Sequence, residues 1–252
     1  MIQPKAFIDI HCHLLPNMDD GPDDWQESLA MAKIAVDDGV SAIIATPHQS
    51  GNYPANTAVK IRAQLAQFQQ LLRLHQINLR VLPGADVRIE PDLPRKILAD
   101  KILTLADRRR YVLLELPHEV YLPLDRVLAE LRAAGMMGIL SHPERNRGIL
   151  NQPDILWKLI REGCLFQVTA GSLLGRFGSH VKKFTEKMIN QKMVHFIATD
   201  AHGIKSRRPV LSDAFNRVMQ IAGSETAIEL CCSNNACVIS GQPIYSLRRK
   251  SA

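Results

Sequence analysis

Residues 7–13 read FIDIHCH, so that a short apolar run leads directly into His11 and His13. Six later runs also end in a side chain that can hold a metal, a cation or a phosphate. They are AIIATP before His48, RVLPGA before Asp86, YVLL before Glu115, GILS before His142, LFQV before Thr169, and FIAT before Asp200 and His202. Short apolar runs are typical of parallel strands buried on both faces. The pattern therefore predicts strands whose polar residues emerge at a common end.

Helical stretches separate these runs. Strands are predicted at 7–10, 42–45, 80–82, 111–114, 137–140, 165–168 and 195–198, and helices at 24–38, 57–75, 93–98, 123–134, 153–162, 178–191, 209–222 and 225–240. About seven β-α units without a linker predict one α/β domain over residues 1–252. A TIM-like barrel of seven units is favoured, because its active site forms at the carboxyl ends of the strands. The alternative, an open doubly wound sheet, would gather the polar residues at one switch point.

The alternation in the first run places His11 and His13 on one side of an extended segment and Cys12 on the other. Both imidazoles can therefore reach a shared cation, whereas Cys12 is predicted to pack. Asp20 can add a carboxylate from the following loop, although a helix-capping turn is an alternative for the run Asp19-Asp20-Gly21.

Histidines and carboxylates lie at the carboxyl ends of most of the later predicted strands. The ligand candidates are His11, His13, Asp20, His48, Asp86, Glu115, His142, Asp200 and His202. This set exceeds the needs of one ion, so two or three divalent ions are expected, with Glu115 bridging them. Nitrogen and oxygen donors without thiolate favour manganese, iron or zinc. The pattern indicates a metal-dependent hydrolase of phosphate esters.

Arginines follow two of these strand ends. Arg145 lies three residues after His142, and Arg207 follows His202. A guanidinium beside the ions could bind a phosphate through paired hydrogen bonds. The alternative is that both are solvent-exposed loop charges, which is the interpretation favoured for Arg208.

Composition restricts the other function classes. The net charge of +6 is diffuse apart from 108–110 and the basic tail 248–250, so a nucleic-acid partner is not expected. Five cysteines without C-x-x-C spacing indicate a reduced protein. No secretory leader or membrane-spanning segment is expected, because no leader pattern of basic, apolar and small residues precedes Ile8 and no apolar stretch approaches the roughly 20 residues that span a bilayer. A cytoplasmic location without membrane insertion is expected.

The metal-ligand segments resemble the polymerase and histidinol phosphatase (PHP) superfamily. The similarity is carried by H11-C-H13, D19-D20-G21-P22, T46-P47-H48, H142-P143-E144-R145 and D200-A201-H202. The opening D-x-H-x-H-x-L-P-x-x-D-D-G-P, from Asp9 to Pro22, looks like that of the bacterial manganese-dependent protein-tyrosine phosphatases of capsule and exopolysaccharide synthesis. The similarity extends to about Phe215.

The resemblance implies a distorted (β/α)7 barrel, three metal ions held by the nine candidates, and a phosphate bound by Arg145 and Arg207. The implied substrate is phosphotyrosine on an autophosphorylating kinase of polysaccharide synthesis. One position departs from the pattern, because Gly84-Ala85-Asp86 stands where the family has Gly-x-Glu. The shorter carboxylate reaches about 1.5 Å less. Either the backbone moves inward there, or Asp86 binds one ion instead of bridging two.

Two other functions remain open on the sequence. One keeps the chemistry but takes a small phosphate monoester such as histidinol phosphate; the D-D-G-P loop and compact length favour the tyrosine phosphatase. The other is a non-catalytic metal-binding regulator of a kinase. Intact candidate ligands at nearly every strand end argue against this regulator.

Overall fold

The computed structural model describes residues 6–244, so the basic tail 248–250 lies outside the described residues. Strands form at each of the seven predicted positions, and two of these strands are followed by a further short strand, which gives nine strands in the described residues. They are β1 Phe7–Cys12, β2 Val40–Ala45, β3 His48–Gln49, β4 Arg80–Pro83, β5 Asp86–Arg88, β6 Tyr111–Glu115, β7 Met137–Ser141, β8 Leu165–Thr169 and β9 Phe196–Ala198. The predicted α/β class is confirmed.

Helices follow the strands along the chain. They are α1 Trp25–Asp37, α2 Ala58–Leu74, α3 Leu93–Leu98, α4 Asp125–Ala133, α5 Arg147–Asn151, α6 Ile155–Arg161, α7 Ala170–Leu173, α8 Ser179–Asn190, α9 Ser212–Ile228 and α10 Asn234–Ser240. Gly223, with φ of 84°, breaks α9 where the sequence predicts the boundary between its last two helices. A π-helical turn over Glu229–Ser233 joins α9 to α10. Within residues 6–244, no helix is both long and apolar enough to cross a bilayer.

All strand ladders are parallel. One sheet has the order β1–β2–β4, and the other has the order β3–β5–β6–β7–β8–β9. The ladder of β2 with β4 stops at Ala45 and Pro83 and resumes as β3 with β5 at His48 and Asp86. Seven predicted strand positions therefore yield nine strands in the described part of the chain, since two are interrupted at the polar end.

The interruption between β4 and β5 depends on Gly84. A Cβ atom on Gly84 would lie 2.5 Å from Ile44 Cγ2, so only glycine lets the link between β4 and β5 approach β2 this closely. Beyond the link, Asp86 N donates to Pro47 O at 3.2 Å. This close approach brings Asp86 beside His48, its partner in the register of β3 and β5.

The strands are buried on both faces, which explains their continuous apolar runs. Along β6, Leu113 belongs to a smaller apolar cluster with Ile10 and Ile139, whereas Val112 and Leu114 belong to the larger cluster that the helices cover. From α10, Val238 also joins the smaller cluster. Apart from a few buried polar residues within the strands, such as Asp9 and Gln167, the polar side chains lie near the ends of the strands.

The first and last strands are joined by isolated contacts. Asp200 N donates to His11 O and His13 N donates to Ala201 O, both at 2.8 Å, but no ladder between β1 and β9 is found in residues 6–244. Near the other end of these strands, the buried Asn235 amide on α10 donates to Ile8 O at 2.6 Å and to Ile197 O at 3.1 Å. Asn235 thus links β1 to β9, the two strands between which no ladder is found in the described residues. The sequence did not indicate this role.

Asn235→Ala is expected to lower the free energy of unfolding by about 2–4 kcal/mol, because it removes both of these hydrogen bonds from a fully buried amide. Denaturant unfolding of both proteins measures the change. Ser240→Ala, at an exposed position of the same helix, is the control and should change stability by less than about 0.5 kcal/mol. Equal stabilities for Asn235→Ala and the unsubstituted protein would contradict the bridging role.

Candidate metal centre

The structure brings all nine predicted ligands together at the carboxyl ends of the strands. They form four overlapping groups: His13, Asp20, His48 and His202; His11, His142 and Asp200; His11, His13 and Asp86; and His48, Asp86 and Glu115. Within each group the potential ligand atoms lie within 4.8 Å of one another. That these side chains bind metal stays a prediction, but the geometry it requires is present.

Asp86 lies where the groups meet. Its Oδ2 is 3.5 Å from His11 Nε2, 3.4 Å from His48 Nδ1 and 4.0 Å from His142 Nε2. One carboxylate therefore faces two groups, although it is shorter than the glutamate of the family pattern. Of the two possibilities raised by the sequence, the inward backbone after Gly84 agrees with this arrangement.

The residues fit a cluster of cations. Asp86 is fully buried, yet no donor among the described residues hydrogen-bonds to either of its carboxylate oxygens. A buried carboxylate without such a partner is strongly destabilising unless a cation balances it. Two ligands of one ion, each about 2.0–2.2 Å from it, lie roughly 3–4 Å apart. The distances from Asp200 Oδ1 to His11 Nε2 and to His13 Nε2, 3.3 and 3.6 Å, agree with such an arrangement.

Three imidazoles are oriented by acceptors on their outer nitrogens. His11 Nδ1 donates to Gln167 Oε1 at 2.8 Å, and His13 Nδ1 donates to Asp19 Oδ2 at 2.7 Å. His202 Nδ1 donates to its neighbour's carbonyl, Asp200 O, at 2.9 Å. Each of these bonds leaves a lone pair on Nε2, and outer partners of this kind commonly orient histidines that bind metals.

Burial and neighbouring charges shift the pKa values of several groups in the site. Burial and the Asp86 carboxylate raise the pKa of Glu115 to about 8. Burial opposes the charged form of His48, but Asp86 and Glu115 outweigh it and raise the pKa of His48 to about 9. Burial holds the pKa of His13 and of His142 well below the usual range, so both imidazoles are neutral. The site thus combines neutral imidazoles at His13 and His142 with carboxylates close enough to raise the pKa of Glu115 and of His48.

The Asp19-Asp20-Gly21 loop is part of the site. Asp19 Oδ2 accepts from His48 N at 2.8 Å as well as from His13, whereas Asp20 Oδ1 lies 3.2 Å from His202 Nε2. The alternative role of this loop as a cap is wrong, because Asp24 caps α1 by accepting from Glu27 N at 2.8 Å.

Both predicted arginines contact Asp200 rather than lying free in solvent. Arg145 NH1 and Arg207 NH2 lie 2.5 and 2.6 Å from Asp200 Oδ2. Their side chains are 12% and 26% exposed, which contradicts the exposed-charge alternative, whereas Arg208 is exposed as expected. Arg207 and Asp200 have positive φ values of 44° and 51°, a strained conformation common at functional sites.

Several residues near the site were missed by sequence reasoning. Asp19 and Gln167 orient histidines, Arg88 NH2 lies 3.1 Å from Glu115 Oε2, and Asp9 accepts from Thr199 N at 3.0 Å. The H-x-H alternation could have indicated Asp9, but Gln167 is separated from His11 by 156 residues and carried no local signal.

Two strand-end residues do not join the ligand groups. Thr169 N donates to the buried Glu144 Oε1 at 2.9 Å, so this end of β8 is tied to the turn that carries Arg145. Cys12 is buried, as the alternation predicts, and burial raises the pKa of its thiol well above the usual range. A thiolate nucleophile at Cys12 is therefore disfavoured.

Sequence comparison gives a family match over almost the whole described chain. Residues 7–240 match the family described as capsular polysaccharide synthesis, CpsB/CapC. The chain is 35% identical over 241 residues to the tyrosine-protein phosphatase YwqE of Bacillus subtilis (strain 168), covering 95% of this chain and 94% of YwqE. It is 27% identical to the tyrosine-protein phosphatase CpsB of Streptococcus pneumoniae, covering 94% of this chain and all of CpsB.

Comparison with solved structures agrees with the sequence matches. A crystal structure from work on YwqE of Bacillus subtilis and CpsB of Streptococcus pneumoniae, described as unique metal-dependent tyrosine phosphatases, superposes with a TM-score of 0.91. The identity is 35%, over 94% of this chain and 96% of that one. A dihydropyrimidinase from Brevibacillus agri matches with a TM-score of 0.59 at 9% identity, over 95% of this chain and 71% of that one. This second likeness shows the fold alone.

Proposed function

The chain belongs to the CpsB/CapC family of capsular polysaccharide synthesis, and we propose that it is a metal-dependent protein-tyrosine phosphatase. The observation that carries this proposal is the meeting of nine histidine and carboxylate ligands in overlapping groups, directly beside two arginines. We also propose that residues 1–252 form one phosphatase domain, which the match over 7–240 supports.

The nine side chains would hold two or three divalent ions. Their mixed nitrogen and oxygen donors, without thiolate, favour manganese, with iron or zinc as alternatives. Clustered divalent ions polarise phosphoryl oxygens and lower the pKa of a water molecule that they bind. Asp86, which belongs to two of the groups, and Glu115, which lies 3.5 Å from His48 and 3.9 Å from His142, would balance the charge of the ions.

The protein's own residues would bind and orient the ester. Arg145 and Arg207 converge on Asp200 Oδ2, so a phosphate beside that carboxylate would lie within reach of two guanidinium groups. His202, with its Nδ1 proton held by Asp200 O, would accept a proton or a cation at Nε2, which is why we include it among the catalytic candidates. The raised pKa of the buried Cys12 thiol supports direct hydrolysis over a covalent cysteinyl-phosphate route.

The proposed substrate is phosphotyrosine on an autophosphorylating tyrosine kinase that controls polysaccharide polymerisation or export in the cytoplasm. Its support is the shared name of the relatives, which are tyrosine-protein phosphatases, and the family's place in capsule synthesis. These names favour phosphotyrosine over a small monoester such as histidinol phosphate. They also favour an enzyme over a non-catalytic regulator.

Chelation tests the proposal. The purified protein should hydrolyse a phosphotyrosyl peptide, lose at least about a hundredfold in rate after exhaustive EDTA treatment, and recover when Mn²⁺ is added back. Histidinol phosphate, assayed in parallel, should be the poorer substrate. Full activity in the metal-free protein would contradict the proposed mechanism, and a hundredfold preference for histidinol phosphate would contradict the proposed substrate.

A further inference from the structure

We infer that three aromatic side chains around the candidate metal centre form a recognition site for the aryl ring of the ester. Tyr53, His118 and Phe177, here called the aromatic collar, come from three separate loops. Each ring stacks on a different residue of the polar site. This inference rests on the proposed function and adds to it the residues that distinguish aryl phosphates from alkyl phosphates.

Tyr53 forms the first part of the collar. Its ring stacks on His48 with 5.3 Å between centroids and 20° between planes, and the side chain is only partly buried. With one face against His48, the ring presents its remaining surface at the mouth of the site. The contact with His48 places Tyr53 beside a candidate metal ligand rather than in the apolar core.

The loop that carries Tyr53 is held in place by Arg88 of β5 and by Glu90, which follows this strand. Gly51 N donates to Glu90 Oε1 at 2.7 Å, and Lys96 Nζ lies 2.6 Å from the other oxygen of that carboxylate. A Cβ atom on Gly51 would be 2.9 Å from Arg88 Cγ, so the loop packs directly on the arginine that contacts Glu115. These ties fix the loop in the absence of substrate, which reduces the entropy lost when a ligand stacks on the ring.

His118 and Phe177 line other parts of the opening. His118 stacks on His142 at 5.6 Å between centroids with 28° between planes, and its backbone carbonyl accepts from Arg147 N at 2.8 Å. The Phe177 ring lies 4.3 Å from the guanidinium carbon of Arg145. His118 is exposed and Phe177 partly buried, so neither ring is an interior packing residue.

Phosphate esters of phenols and of alcohols share the phosphoryl group, so the arginines and the metal ligands cannot separate them by that group. A phenol is the better leaving group in any protein, so the binding difference that this protein can add comes from the aryl ring, which can stack offset or edge-to-face against protein rings. Such a pair is stabilising enough to change relative affinity by roughly two- to tenfold per ring. A collar of three rings therefore suits a phosphotyrosyl side chain and offers much less to a phosphoseryl side chain.

Matched kinetics test the collar with the manganese-loaded protein. The ratio of kcat/KM for a phosphotyrosyl peptide to that for a phosphoseryl peptide of the same sequence is measured for the unsubstituted protein, Tyr53→Leu and Tyr53→Phe. Tyr53→Leu should lower this ratio about two- to tenfold, and Tyr53→Phe should keep it. Trp157→Leu, which removes an exposed aromatic residue outside the collar, is the control and should keep the ratio. His118→Leu should lower the ratio as Tyr53→Leu does.

Inorganic phosphate separates ring recognition from damage to the centre. Its inhibition constant should be the same in Tyr53→Leu and the unsubstituted protein, because phosphate has no ring. The inference is overturned if Tyr53→Leu slows both peptides equally, if phosphate inhibition weakens in parallel, or if the unsubstituted protein shows no preference for the aryl ester. In each of these cases metal-dependent hydrolysis of the phosphotyrosyl peptide can persist, so the proposed function would stand without the collar.

Discussion

Asp86→Ala is expected to reduce kcat/KM toward a phosphotyrosyl peptide by about a thousandfold and to lower the number of manganese ions bound. The reason is that Asp86 Oδ2 faces both His11 and His48, so one substitution removes a charge from two ligand groups at once. Loss of a single group that stabilises transition-state charge already lowers kcat by about 10²–10³. Elemental analysis and steady-state kinetics on the same preparation measure both effects.

Asp86→Glu separates the two interpretations of this position. If the inward backbone after Gly84 compensates for the shorter side chain, the longer carboxylate gains nothing, and activity should stay within about tenfold of the unsubstituted protein. Asp37→Ala, an exposed carboxylate on α1, should leave metal content and rate unchanged. Full metal occupancy and full activity in Asp86→Ala would remove Asp86 from the centre.

Arg145→Ala and Arg207→Ala are each expected to lower kcat/KM by about 10²–10³. Both guanidinium groups lie within 2.6 Å of Asp200 Oδ2, so each is placed to stabilise charge on a phosphoryl group beside it. The inhibition constant for inorganic phosphate should rise in both variants, because the phosphate loses a charge-assisted hydrogen-bond donor. Kinetics with phosphate as a competitive inhibitor measure this change.

Arg208→Ala is the matched control for these two arginines. Its side chain is exposed, whereas that of Arg207 is 26% exposed and in contact with Asp200. Arg208→Ala should therefore change kcat/KM by less than about threefold, in line with the small effects of surface substitutions. The reverse order, with Arg208→Ala the more damaged variant, would assign phosphate binding to Arg208.

Much of the site could be predicted because it is encoded locally. An apolar run that ends in a histidine or a carboxylate marks, within a few residues of sequence, where the strand ends and which side chain lies there. Parallel strands then bring these ends to one rim of the barrel. For this reason His11, Glu115 and Asp200 could all be assigned from their place in the sequence, and the structure groups each with other candidates. Arg145 and Arg207 follow strand ends closely enough for the same argument to hold.

The partners that orient these side chains follow no such rule. Gln167 lies 156 residues from His11, and in the sequence it resembles any buried strand residue, because only the tertiary structure brings its side chain to His11. Asn235 likewise reads as a polar residue of an ordinary terminal helix, although its amide joins β1 to β9. Contacts of this kind depend on which strands and helices lie close together in the fold, and a pattern of neighbouring residues does not predict this.

The order of strands and helices, the face of each strand and the identity of the candidate ligands were determined by the sequence itself, because alternation and apolar runs act over a few neighbouring residues. Tertiary structure decided three further features: the interruption of two strands at the polar rim, the position of Asp86 between two ligand groups, and the stacking of Tyr53 on His48. The first two depend on close approach between segments distant in the chain, such as Gly84 against Ile44, and the third depends on the packing of the loop after β3 against Arg88. All three are therefore set by packing rather than by local propensity.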